Sequence, residues 1–211
     1  MSAGKISFTP FTEEMKKTHT ILIPGMLPLH FSLLRAALQS CGYKAEILQN
    51  TGHEVIETGL KYVNNDICYP ALLVIGQLIN ALENGKYDLN KTALIISQTG
   101  GGCRASNYIF LLHKALEKAG LTHIPVISLN VQGMEKQPGF RITLPMFKKF
   151  LAAVVYGDAL MYLSNKIRPY EINPGTTDAL AQKWIKKLSD AFNSGKIHAA
   201  SNIRKFTAAI V

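Results

Sequence analysis

The sequence predicts an α/β protein, with a Rossmann-like parallel sheet that has helices on both faces and is followed by a mostly helical C-terminal part. Two patterns predict this fold class. In the first 130 residues, short and continuously apolar segments alternate with longer segments of helical periodicity. Strands that are apolar on both faces are typical of parallel sheets covered by helices. Beyond residue 130 the apolar residues follow mostly helical spacing.

Short apolar segments predict the strands: HTILIP (19–24), KAEIL (44–48), TALIIS (92–97) and IPVISL (124–129). Helical spacing and terminating glycines predict helices over about 29–42, 69–83 and 105–119, while residues 51–63 are a short helix or an irregular link. Parallel sheets bind ligands outside the carboxyl ends of their strands. We therefore expect a ligand edge at the loops that follow Ile23 and Ser97.

The chain divides into three parts on these patterns. Residues 1–18 are predicted to be an extended N-terminal segment, 19–135 the Rossmann-like domain and 136–211 a helical region. In the helical region, two runs are joined by the Pro/Gly-containing linker RPYEINPG. The final SNIRKFTAAIV stops within an apolar, helix-like pattern, which favours a fragment of a longer protein.

Composition narrows the class of protein further. The chain has 211 residues, of which 47% are hydrophobic and 18% charged, so it can bury a core. Three cysteines without an apolar leader favour a reducing, cytoplasmic location, and the longest apolar run is too short to span a membrane. The net charge of +9 comes from dispersed basic residues. This dispersion indicates a solvated surface rather than a nucleic-acid or membrane partner.

Two of the three cysteines lie at predicted helix starts. Cys68 precedes Tyr69 and Pro70, and proline favours the first turn of a helix; Cys103 follows three glycines and precedes Arg104. Helix N-termini lower the pKa of a thiol, and the thiolate is both a nucleophile and a metal ligand. The alternative for Cys68 and Cys103 is that each is buried as a small apolar side chain. For Cys41, at a helix end, burial is the favoured interpretation.

The spacing of the chemical groups excludes several familiar sites. QTGGGCRAS lacks the lysine of a Walker A loop and the full G-x-G-x-x-G pattern. A zinc site needs close ligand pairs such as C-x₂₋₄-C, and the chain has none. Its six histidines are scattered without a protease signature, which favours surface or loop positions for them.

Longer segments of the sequence resemble a known family. The segments are FTEEMKKTHTILIPGMLPLHF, GLKYVNNDICYPALLVIGQLINAL, ALIISQTGGGCRASNYIFLLHKAL, PVISLN and VVYGDALMYLSNKIRPYE. Together they resemble the large bacterial CoA-substrate-specific enzyme activases, which are related to the 2-hydroxyacyl-CoA dehydratases and the double-cubane-cluster reductases. The resemblance extends over about residues 5–195, and ND-x-CYP and QTGGGCRA-x-NY are its most specific motifs.

The resemblance implies a cofactor and partners. Dehydratase-like subunits of this superfamily bind a [4Fe-4S] cluster through three cysteines, and Cys68 and Cys103 match the first two. The third ligand normally lies much further along, in a second α/β domain, and Cys41 does not match it. The chain resembles the dehydratase-like portion rather than the ATPase portion. The implied partners are therefore an ATP-hydrolysing activase domain or subunit and an acyl-CoA substrate, while homo- or hetero-oligomer formation is left open.

Several polar residues and glycines near the two cysteines are candidates to surround a cluster or bind a ligand: Asn65, Asp66, Gln98, Gly100, Gly101, Gly102 and Arg104. Turn and cap chemistry is the alternative for the Asn-Asn-Asp stretch. Three functions follow from the residues and the resemblance together, and the first of them rests on the resemblance. The first is an iron–sulfur domain in ATP-dependent, low-potential electron transfer. The second is a non-redox Rossmann-like module that binds an acidic small molecule or a partner subunit, and the third is a thiol enzyme with Cys103 as nucleophile.

Overall fold

The computed structural model describes residues 8–64, 66–97, 107–129 and 137–195, together with 204, 205 and 208. The chain forms two compact units: Met1–Met26 with Tyr43–Arg141, and Leu27–Gly42 with Ile142–Val211. The first unit contains a parallel sheet flanked by helices and the second is helical. The predicted α/β class is confirmed.

The described residues form four parallel strands, β1 (Thr20–Ile23), β2 (Lys44–Ile47), β3 (Thr92–Ser97) and β4 (Val126–Leu129), in the order β2-β1-β3-β4. Ile21 lies opposite both Ala45 and Ala93, and all three side chains are buried. The strand order reverses between β1 and β3. A crevice for ligands is expected at such a reversal, outside the carboxyl ends of the strands.

Helices of the first unit are α1 (Glu13–Thr18), α3 (His53–Tyr62), α4 (Tyr69–Glu83) and α5 (Tyr108–Lys118); those of the second unit are α2 (Pro28–Gln39), α6 (Leu144–Ile167) and α7 (Thr176–Ser194). Among the described residues, none of these helices has the length and apolar character needed to cross a membrane. Helix α4 begins and ends at the predicted residues, because Pro70 favours its first turn and Gly85, with a φ of 73°, follows its end.

Helix α1 corrects the prediction of an extended segment over residues 1–18. Thr12 caps the helix by accepting a hydrogen bond from the Met15 amide, and Glu13 and Glu14 occupy the first turn. Acidic side chains in the first turn and basic ones in the last turn stabilise the helix dipole. Residues 1–7 lie outside the described part of the chain.

Helices α3 and α4 approach each other closely through glycines. A Cβ added to Gly76 would lie 2.3 Å from the Val55 carbonyl oxygen, and one added to Gly59 would lie 2.6 Å from the Leu72 carbonyl oxygen. The other faces of α4 are also covered, so that Ile75, Leu78 and the rest of its central turns are buried. Contact between the two backbones therefore sets the position of α3.

Helix α2 belongs to the helical unit, whereas the sequence predicts that it is part of the Rossmann-like domain. Leu33, Ala36 and Ala37 of α2 belong to one buried cluster with Tyr156 of α6 and Trp184 of α7. The division near residue 135 and the assignment of residues 27–42 thus differ from the predicted domain limits. The apolar face of α2 predicts burial, but its sequence contains no signal for the partner that covers it.

Candidate functional site

The site lies at the carboxyl edge of the sheet in the first unit. Gly25 follows β1 by two residues, and its amide donates a 2.8 Å hydrogen bond to Gln77 Oε1 in the middle of α4. A Cβ at Gly25 would lie 2.9 Å from the Leu48 carbonyl oxygen, so the loop after β1 passes close to the loop after β2. The Leu48 amide in turn donates to the Ile23 carbonyl at 2.9 Å. The two loops are thus fixed to each other and to α4.

A network of carboxamides extends from this point. Gln77 Nε2 donates to the Asn50 carbonyl at 2.9 Å, while Asn50 Nδ2 donates to the Gln77 carbonyl at 3.0 Å and to Asn80 Oδ1 at 2.9 Å. These hydrogen bonds take the place of bonds to water for the amide groups that packing against α4 removes from solvent. The network ties the loop after β2 to one side of α4.

A cavity of about 430 Å³ opens beside this network. Apolar side chains from α3 and α4, among them Val55, Leu73 and Val74, form much of its wall, and Asn50 and Gln77 contribute amide groups. The described residues that line it include no charged side chain. Such a cavity fits a molecule with an apolar body and one or two hydrogen-bonding groups.

Cys68 is the N-cap residue of α4, two positions before Pro70, which also lines the cavity. Its side chain is half-buried, its thiol is not in a disulfide, and its carbonyl accepts hydrogen bonds from the Ala71 and Leu72 amides. The thiol makes no capping hydrogen bond to the amides of the helix. Instead its Sγ lies 3.4 Å from the hydroxyl of Tyr108, the first residue of α5.

The contact between Cys68 and Tyr108 brings together two parts of the chain that are 40 residues apart. Cys68 belongs to NDICYP and Tyr108 is the last residue of QTGGGCRASNY, so the contact links one described residue of each motif. Tyr108 is buried, and either its hydroxyl or the thiol can be the donor. The hydroxyl can also donate to a thiolate, because ionised sulfur is only an acceptor.

Most of the other predicted site residues lie outside the described part of the chain: Asn65, Gln98, Gly100, Gly101, Gly102, Cys103 and Arg104. Asp66 is exposed in a turn, where the Ile67 amide donates to the Asn64 carbonyl at 3.2 Å. That hydrogen bond fits the turn interpretation of this stretch. Cys41 lies beyond the end of α2 in the helical unit, half-buried and with a free thiol.

Across 8–64, 66–97, 107–129 and 137–195, no three His, Cys, Asp or Glu side chains are grouped as ligands. Cys68 has features that a cluster ligand needs: its thiol is not in a disulfide, it lies at a helix N-terminus, and the Tyr108 hydroxyl lies beside its sulfur. This part of the chain therefore fits an iron–sulfur cluster as the source of one ligand.

Two histidines are buried on helices rather than on the surface or in loops. His30 of α2 places Nε2 2.9 Å from Asp158 Oδ1 on α6, and a Cβ at Gly157 would lie 2.4 Å from the same imidazole ring. His113 of α5 stacks on the Phe8 ring, with centroids 3.6 Å apart. Burial lowers the pKa of His113 to about 4.

Sequence reasoning missed the carboxamide network. The available signal was polarity within an apolar helix: Gln77 and Asn80 interrupt the run LLVIGQLINAL at a spacing of three, so they share one face. Asn50-Thr51-Gly52 after a buried strand was a second signal, because such residues form turns at ligand edges.

Comparisons with protein-family models, with curated proteins and with solved structures found no match.

Proposed function

We propose that the α/β unit is an iron–sulfur domain of an ATP-dependent, low-potential electron-transfer system, with Cys68 and Cys103 as ligands of a [4Fe-4S] cluster. The single observation behind the proposal is the 3.4 Å contact between Cys68 Sγ and the Tyr108 hydroxyl. It joins the two motifs that resemble those of the 2-hydroxyacyl-CoA dehydratases and their activases. Cys103 precedes Tyr108 by five residues, which span at most about 18 Å of chain.

The residues of this chain have distinct roles in the proposal. Cys68 supplies a thiolate at the start of α4, where the partial positive charge of the helix N-terminus favours negative charge. Tyr108 donates a hydrogen bond to that sulfur, and hydrogen bonds to the sulfurs tune the reduction potential of a cluster. When bound, the cluster supplies one-electron reduction at low potential. A third ligand has to come from outside the matching motifs.

The proposal extends to the substrate, the partner and the compartment. The cavity lies beside the first turns of α4, which begins at Tyr69 directly after Cys68, and the uncharged, largely apolar side chains described along its wall suit the acyl part of an acyl-CoA. An ATP-hydrolysing activase domain or subunit is the proposed electron donor. A cytoplasmic location belongs to the same proposal, because free thiols and reduced clusters need reducing surroundings.

Iron and acid-labile sulfide analysis after anaerobic reconstitution tests the assignment. We expect near-equal iron and sulfide in the wild-type chain, and loss of both in Cys68→Ser and in Cys103→Ser. Cys41→Ser is the matched control, since it removes a free thiol from the helical unit and should keep the iron. A wild-type chain that takes up no iron, or retention of iron in both of the first two variants, would contradict the proposal.

The cavity supports a second candidate function, a non-redox module that binds a small molecule. The described part of its lining is uncharged, which favours an apolar compound over the acidic ligand that the net charge suggests. In this case the chain binds no iron but does bind an apolar fluorescent probe. Leu73→Trp, which fills the cavity, should abolish probe binding, whereas Leu60→Trp on the exposed surface of α3 should not.

A further inference from the structure

Helix α6 carries an exposed row of residues with the spacing of a coiled-coil seam. The row, called here the α6 seam, repeats at alternating intervals of four and three residues and consists of Leu144, Lys148, Leu151, Val155, Asp158 and Tyr162. All six residues are exposed, with Leu144 at 67% and Tyr162 at 65%. Alternating intervals of four and three residues place side chains in one line along a helix. In coiled coils this line packs against the partner helix.

The opposite face of α6 is already in use within the helical unit. Ala153, Tyr156 and Leu160 are buried in the cluster with α2 and α7. Ala153, with no exposed area, lies midway between the two ends of the seam, on the far side of the helix. The seam is thus an apolar face that the described residues leave uncovered, next to a face that fixes the helix in place.

The seam is complementary to itself when a second copy runs antiparallel. With the two-fold axis at the level of Ala153, each residue i faces residue 306 − i of the other copy, by the regular rise of the helix. Lys148 then faces Asp158, Leu151 faces Val155 and Leu144 faces Tyr162. Every contact occurs twice, as a two-fold interface requires.

Charge selects this arrangement over the parallel one. In a parallel pair Lys148 would face Lys148 and Asp158 would face Asp158, so both polar levels would be repulsive. In the antiparallel pair the two ion pairs flank the apolar centre of Leu151 and Val155, each about 7.5 Å along the helix from the axis. Asp158 already accepts a hydrogen bond from His30, and a carboxylate can accept more than one.

We propose that the chain forms a homodimer through an antiparallel pairing of α6 seams, with Lys148–Asp158 ion pairs on both sides of the axis. This inference is independent of the iron–sulfur proposal, because the seam lies in the helical unit and uses neither cysteine motif. Its occupant is a second copy of this chain, and other occupants would fail the test below.

Charge exchange between copies tests the proposal. Lys148→Asp gives a seam with two carboxylates at the polar levels, and Asp158→Lys gives one with two ammonium groups. Each variant alone should be monomeric at concentrations where the wild type is dimeric, with dimer affinity lowered roughly tenfold or more. An equimolar mixture of the two should recover the dimer, because each copy then meets opposite charges. Sedimentation equilibrium reports the mass, with 23.2 kDa for one chain.

Controls separate the interface from folding. Lys183→Asp makes the same charge change on an exposed position of α7 and should leave the dimer intact. Asp158→Lys also removes the contact with His30 and could therefore affect folding. Leu151→Asp leaves that contact in place and should also give a monomer. Circular dichroism checks that each variant keeps its helices. A monomeric wild type would overturn the proposal, as would single variants that still dimerise or a mixture that does not recover.

Discussion

The free energy of unfolding of the α/β unit depends on pH through His113, and the size of this dependence can be calculated from the structure. The imidazole is 6% exposed on α5, stacked on Phe8, and among the described residues its Nε2 has no hydrogen-bond partner. Burial lowers its pKa from 6.5 to about 4, because the charged form cannot be hydrated there. The unfolded chain takes up this proton near pH 6.5, whereas the folded chain does not until about pH 4.

The direction of the pH dependence follows from which state, folded or unfolded, binds more protons. Between these two values the unfolded state holds more protons, so the free energy of unfolding falls as pH decreases through that window. One pKa unit corresponds to about 1.4 kcal/mol, and a difference of about 2.5 units gives a limiting loss of about 3 kcal/mol below pH 4. At pH 5 the loss is about 2 kcal/mol relative to pH 7.5.

Urea unfolding of the wild type and His113→Leu, followed by circular dichroism from pH 7.5 to 5.0, measures this contribution. We expect the difference in unfolding free energy between the two proteins to shift by about 2 kcal/mol in favour of the variant over this range. His123→Leu, which removes an exposed imidazole before β4, is the control for loss of a histidine as such. Parallel curves for wild type and His113→Leu would refute the reasoning.

Two further substitutions test the positions of α3 and α4. Alanine usually stabilises a helix interior relative to glycine by roughly 0.5–1 kcal/mol, but Gly76→Ala should destabilise by about 1–3 kcal/mol, because its Cβ would meet the Val55 carbonyl at 2.3 Å. Thermal unfolding decides the sign. Gln77→Leu should cost about 1–3 kcal/mol because it leaves the Gly25 amide and the Asn50 carbonyl without their partner. A variant as stable as the wild type would show that water replaces these bonds, and Gln49→Leu at an exposed position is the control.

The strands and most helices could be predicted because their signals are local. TALIIS has four consecutive apolar residues at its centre and becomes β3. The stretch from Tyr69 to Asn84-Gly85 has both a start and a stop signal, so α4 has the predicted bounds. Helix α1 was missed because its six residues are mostly charged and none is buried. Its stability comes from caps and charges, which leave no hydrophobic period.

Features that depend on distant residues were harder to predict. The amphipathic face of α2 indicates burial, yet only the fold shows that α6 and α7 cover it. The same holds for Asn50, whose side chain is satisfied by α4 across 27 and 30 residues of sequence. Contacts of this kind depend on where distant elements pack in the fold. The hydrophobic period of a single helix or strand carries no information about that.

The meeting of Cys68 and Tyr108 follows from chain order and handedness rather than from local sequence. In a parallel sheet, each connecting helix runs back against the strands. Helix α4 leads into β3 and therefore begins at the carboxyl edge, while α5 leaves β3 and begins at that same edge. Helices α4 and α5 consequently present their N-termini, at Cys68 and Tyr108, to one region. That geometry favours an anionic centre, so metal analysis of Cys68→Ser against Cys41→Ser distinguishes a cluster from a small molecule.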